Sequence, residues 1–329
     1  MAEISLQTHR LLTLSMLKGI GPGALRKIAA VGGFEEMSFG DLRGYLPKQA
    51  AASIDPVSLA LAKEEADRQL ETASNAGAFI ISAADSTYPS LLMDTRDDPQ
   101  ILFVKGKLSK SPQKSVAIIG TREPTEHGRV IAQRLTGFFI SEGWSVVSGL
   151  AIGCDAIAHE AALDAGGHTV AVMAHGLQMI APSRHKKLAQ RILDSGGALV
   201  SEYCFGQQAM PTNFVKRDRI QAGLAKGVVM VQSDVVGGSL HASRAAIDYG
   251  RWLAVPYPTA LDISNMEQKI QANLLLADGE GHDKTRLLRC DSSALRNLIV
   301  LRGRGDYAKM IQSTTTVSPS RPSVQGQLF

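Results

Sequence analysis

The chain has 329 residues, 44% of them apolar, 20% charged and 5% aromatic, with a formal net charge of +4. That length accommodates two domains with a sizeable core, and the composition excludes a wholly disordered or fibrous chain. No apolar run reaches membrane-span length and MAEISLQTHR carries no signal region; Cys154, Cys204 and Cys290 fit neither a disulfide framework nor a zinc site, so a cytoplasmic protein with no metal and no cofactor is expected.

Residues 1–76 read as a small helical domain. Leu11 to Leu17 predicts a short apolar helix, and LKGIGPGALRKIAAVGG carries a helix-hairpin-helix (SAM-like) pattern. Gly19 and Gly21 allow a tight turn, and a second helix starts near Pro22 with Ala24, Leu25 and Ile28 inward. The amides of such a turn can hold a DNA phosphate without reading sequence. Such hairpins also serve as plain packing units. With only Lys18, Arg26 and Lys27 nearby, packing is the preferred reading. Ser58 to Ala76 predicts a linking helix.

Residues 77–282 predict a Rossmann-like, doubly wound, mostly parallel α/β sheet. AFIIS and ILFVKG, separated by the Tyr88-Pro89 turn, lead into it. From Ser115 onward, apolar runs alternate six times with helical patterns, through SVAIIG, SVVSG, TVAVMA, ALVSEY, VVMVQ and WLAVPYP. The runs are apolar rather than alternating, as strands covered on both faces require.

Ligands bind such sheets beyond the carboxyl ends of the strands. Four of those ends are glycine-rich or basic: Gly120-Thr121-Arg122, the loop opening Ser148-Gly149, Asn213 to Arg219, and Val236-Gly237-Gly238-Ser239. Glycine lets backbone amides approach a phosphate, and Arg122 and Ser239 add donors at the same place. No loop has the G-x-G-x-x-G or the G-x-x-x-x-G-K-[ST] spacing, so neither an NAD site nor a P-loop is supported. Lys216, Arg217 and Arg219 stand against one carboxylate, Asp218, and their helix is expected to turn its cationic face into the crevice. Phe205 and Phe214 are candidate base platforms or core residues. Asp155 and His159, four apart, read either as an acid–base pair or as a helix cap beside a packed histidine; the second is preferred, and no catalytic constellation emerges.

These motifs resemble the DNA-processing protein A (DprA/Smf) family. The resemblance runs from about Leu11 to Pro258, through YPSLL, SVAIIGTREPTEHG, SGLAIGCDAIAHEAALDAGG, TVAVMAHGL, SEY, NFVKRDRIQAGL, GGSLHASRAAIDYGR and AVP. It implies a homodimeric, non-enzymatic protein that binds single-stranded DNA and loads the RecA recombinase onto it, in natural transformation and recombination. Arg122 matches the arginine of the family's G-[ST]-R turn. Lys216, Arg217 and Arg219 match its basic F-x-[RK]-R-N-R segment, and Gly149, Gly238 and Ser239 match its glycine loops. The chain departs from that pattern at Asp218, where the family has asparagine, at Gly237 in place of serine, and after Pro258, where no winged helix is evident. A second reading takes the crevice as a small-nucleotide sensor. The P-G-G-x-G-T-x-x-E loop of the phosphoribohydrolases that share this fold type is missing from VVGGSLHASRAAID.

Residues 283–329 carry eight Lys/Arg against three Asp, consistent with an acidic partner or with a solvated helix. After Ile311 the composition predicts disorder. The closing residues Gln325, Leu328 and Phe329 resemble the Q-x-x-L-F peptide that docks on the bacterial DNA sliding clamp.

Overall fold

The computed structural model describes residues 4–312. The amino-terminal helices begin where their sequences supply caps. Ser5 accepts the amide of Thr8 at the start of Leu6–Ser15, and Asp55 accepts those of Val57 and Ser58 at the start of the twenty-residue helix Pro56–Asn75. The second helix of the hairpin, Pro22–Ala29, has Gly21 at its N-cap and buries Leu25 and Ile28. Arg26 pairs with the buried carboxylate of Asp98 and with the carbonyl of Asp98, which docks the hairpin on the lead-in segment. One of its three cations is therefore committed to packing.

The sheet has nine strands in the order β1-β2-β6-β5-β4-β3-β7-β8-β9. The strands are β1 Ala78–Ser82, β2 Ile101–Gly106, β3 Ser115–Ile119, β4 Ser145–Ser148, β5 Thr169–Val172, β6 Ala198–Ser201, β7 Gly227–Met230, β8 Trp252–Pro256 and β9 Leu298–Leu301. β1 and β2 pair antiparallel, as do β2 and β6; all other pairs are parallel. The doubly wound, mostly parallel sheet read from the sequence is present, and both lead-in runs join it. β9 was not anticipated. Residue 282 lies inside the helix Gly281–Leu288, and the strand beyond it continues the sheet along β8. Its four apolar residues lie among charged ones and are mostly half-buried, which hid them from a composition reading.

The helical module shares its core with the sheet. Leu11, Leu12, Leu14, Ile28 and Leu42 form one cluster with Ile80, Phe103, Leu199 and Phe205. The Gln69 side chain accepts the amide of Phe205 at 2.9 Å and donates to its carbonyl at 3.1 Å. Strand order reverses between β3 and β7: the chain runs outward from β3 through β4, β5 and β6, then returns to place β7 on its other side. A switch point of this kind opens a crevice at the carboxyl ends of the two strands. No described helix is long and apolar enough to cross a membrane.

Candidate nucleic-acid interface

A cavity of about 820 Å³ occupies the β3/β7 switch point. Gly120, Thr121 and Arg122 form one lip, Gly237, Gly238 and Ser239 a second, and Phe214, Arg217, Asp218 and Gln221 of the helix Pro211–Gly223 a third. Local hydrogen bonds hold these lips. The Thr121 amide donates to Gln232 O at 2.8 Å, its carbonyl accepts from the Cys154 amide at 3.1 Å, and its hydroxyl accepts from the Glu123 amide at 3.2 Å. Ser239 donates to the Ser233 hydroxyl at 2.8 Å. Arg122 is exposed at the mouth. Gly238 faces open space.

The floor is a buried charge cluster. Arg217 is 3% exposed; its Nη1 donates to Val172 O at 2.8 Å and its Nε stands 3.2 Å from Asp218 Oδ1. A side chain at Gly149 would place its Cβ 1.6 Å from Arg217 Nη1, so the glycine makes room for a guanidinium. Asp155 accepts the amides of Gly149 at 3.1 Å and Ala151 at 3.4 Å. Burial raises the Asp155 carboxyl above its usual range against the pull of Arg217, and pushes Asp218 up to about 7.

These contacts redistribute the residues singled out in the sequence. Gly120, Thr121, Arg122, Phe214, Arg217, Gly238 and Ser239 line the cavity. Ser148 and Gly149 lie outside its lining: the Ser148 hydroxyl donates to Ile118 O at 2.7 Å, and the Gly149 amide is committed to Asp155. Asn213 is buried. The expectation that Lys216 and Arg219 face the crevice together is corrected by helix geometry. Phe214, Arg217, Asp218 and Gln221 follow the three- and four-residue spacing of one face, which puts residues 216 and 219 elsewhere. Lys216 is exposed away from the cavity, and Arg219 holds Glu202 through two bonds of 2.8 and 2.7 Å. Phe205 packs edge-on against Phe103 in the core, 5.8 Å between centroids, and is no platform. Asp155 and His159 do not pair. His159 bonds Thr169 Oγ1 at 2.7 Å, and burial lowers its imidazole to about 3.

Sequence reasoning missed Lys269, His241 and Asp234, which also line the cavity. Lys269 lies 3.6 Å from Glu123. It comes from the short turn Gln268–Ile270, and only the folded chain brings it to the crevice.

A doubly wound α/β sheet with an open crevice at its switch point, glycine lips and a buried arginine defines a protein of the Rossmann-like class. Residues 79–278 match the model of the DNA recombination-mediator protein A family, and the chain belongs to that family. It is 38% identical over 180 residues to protein Smf of Escherichia coli K12, covering 54% of this chain and 48% of that protein. It is 36% identical over 182 residues to the DNA processing protein DprA of Bacillus subtilis, covering 55% and 61%. The chain thus spans about half to three-fifths of the length of these curated relatives. The structure of DprA from Streptococcus pneumoniae superposes with a TM-score of 0.69 at 23% identity, over 93% of this chain and 98% of that one, and shows the shared fold. A structure of DprA from Helicobacter pylori, described for its single-stranded DNA binding mode, gives a TM-score of 0.52 at 26% identity over 65% and 97%.

Proposed function

We propose that this protein is a recombination mediator that holds the backbone of single-stranded DNA in the switch-point crevice. The observation that carries the reading is the mouth itself: exposed Arg122 and half-buried Lys269 line it together with the open Gly238 lip, above a buried guanidinium. Family membership and the DNA-binding relative from Helicobacter pylori support it. In this reading Phe214, half-buried in the cavity wall, offers a face to one base. The protein then acts without covalent chemistry, as a homodimer that passes DNA to the RecA recombinase.

Arg122→Ala is expected to weaken binding of short single-stranded DNA and to lower its salt slope by roughly 0.7, one phosphate contact, with the fold intact. Fluorescence titration at two salt concentrations, with a mononucleotide as competitor, tests this. Wild-type affinity and slope would remove the crevice as the DNA site, and tight mononucleotide binding would favour the sensor reading.

The clamp-docking expectation at Gln325, Leu328 and Phe329 lies outside the described residues. In the proposed function these residues recruit the protein to DNA through the sliding clamp, with Leu328 and Phe329 as apolar anchors. Calorimetry against the bacterial clamp should show binding that the double change Leu328→Ala/Phe329→Ala abolishes. No binding, or binding indifferent to the change, rejects it.

A further inference from the structure

A second cavity, about 600 Å³, lies between the helices Leu240–Asp248 and Gly281–Leu288, outside the crevice. Three arginines line it: Arg244, Arg286 and Arg289. Two carboxylates share the lining, Asp248 and Asp291, and Asp248 is already held by Arg96 at 2.7 Å. Arg286 pairs with Asp283 at 2.8 Å. Arg244 spends its Nε on Leu287 O at 2.9 Å, and among the described residues neither it nor Arg289 forms an ion pair. Two guanidinium groups outside any ion pair therefore line one cleft, and burial, with both of them, lowers the imidazole of nearby His241. Three guanidinium groups against two carboxylates leave the cleft with an excess of positive charge, as an anion-binding surface requires.

The backbone gives an independent indication. Arg289 caps its helix in the left-handed conformation, φ 54° and ψ 49°. Glycine is the residue that this position favours, and a side chain held there is strained. Strain of this kind persists only where the surrounding structure holds it, and it clusters at binding sites. The cleft also adjoins the crevice. His241 lines the crevice wall, and Arg244 follows it three residues on along the same helix face.

We propose that the Arg244–Arg289 cleft is a second phosphate subsite, which takes the backbone of a single-stranded DNA as it leaves the crevice past His241. The proposal rests on the crevice reading and extends it. A strand long enough to span both sites contacts Arg244, Arg289 and Arg286; a strand that fills only the crevice does not.

The test uses the full chain with oligo-dT of roughly 6 and roughly 20 nucleotides. Arg289→Gly relieves the backbone strain, so its melting temperature should equal or exceed that of wild type; Arg244→Gln serves as a second variant. Each should bind the short oligonucleotide as wild type does, yet weaken the long one by about three- to tenfold and lower its salt slope by roughly 0.7. Cys290, which lines the cleft, should be protected from alkylation by the long oligonucleotide only. Wild-type binding of the long oligonucleotide by both variants, or equal losses at both lengths, overturns the proposal. Arg122→Ala separates the two readings. If it alone weakens binding, the crevice stands and the cleft falls. If it has no effect while Arg289→Gly weakens the long oligonucleotide, the crevice falls and the cleft stands as a phosphate site.

Discussion

Arg217→Ala is expected to destabilise the fold by about 3–5 kcal/mol, the largest effect of any single change at the crevice. The guanidinium is buried between Asp155 and Asp218, bonds Val172 O on β5, and is the charge that draws both carboxyls down against their desolvation. Without it, two buried carboxylates face each other unpaired, and the carbonyl of Val172 loses a donor. The loss should depend on pH. Below about 7 the wild-type Asp218 is largely protonated and asks little of the arginine; above it the charge must be held. The difference in urea midpoint between wild type and variant should therefore widen from pH 6 to pH 8.5. A loss under about 1 kcal/mol at all pH values would mean that Arg217 is not the counterion of this cluster.

The companion expectation concerns Asp218. Its carboxyl titrates at about 7 in the fold, above the ordinary 3.8. A raised pKa of an acid contributes stability that is present at low pH and is lost as pH climbs through the folded value. Asp218→Asn should remove that loss, so its stability should be flatter than that of wild type between pH 4 and pH 8. The same change bears on ligand binding. The crevice lining carries three cations, Arg122, Arg217 and Lys269, against four carboxylates, Glu123, Asp155, Asp218 and Asp234, and so is net negative when every group is ionised and neutral once Asp218 is protonated. An anion entering it raises the Asp218 carboxyl further, and DNA binding then takes up a proton. Wild-type affinity for single-stranded DNA should fall from pH 6 to pH 8, and Asp218→Asn should hold it near the pH 6 value, roughly five- to tenfold tighter at pH 8. Equal affinities at pH 8, or an unchanged pH slope in the variant, would place Asp218 out of reach of the bound anion.

The fold was legible where a pattern was local. Six apolar runs separated by helical periodicity specify six strands, and the reversal of order at β3 follows from the class of sheet they form. β9 was hidden because it is a four-residue strand at the sheet edge, paired only with β8. At the crevice, the glycines and Arg122 were readable, since tight turns after strands have a sequence signature. The basic run around residue 217 misled because a charge count does not resolve direction around a helix. Arg217 turns inward and is neutralised, Arg219 is claimed by Glu202, and Lys216 remains in solvent. Lys269 had no signal at all, being a single cation delivered by a long-range contact.

The strand order also governs how the polypeptide leaves the ribosome. β2 finds β1 almost at once, but its other neighbour, β6, is synthesised roughly ninety residues later. At typical elongation rates of 5–20 residues per second, that is a wait of roughly 5–20 s. During that interval Ile101 to Val104, which end fully buried, present an unpaired apolar edge. β3, at the switch point, waits longer still for β7. The nascent chain therefore completes its core only when most of it has been translated. The amino-terminal helices, whose apolar faces bury Ile80 and Phe103 from one side, act in the meantime as a built-in shield over the waiting hairpin.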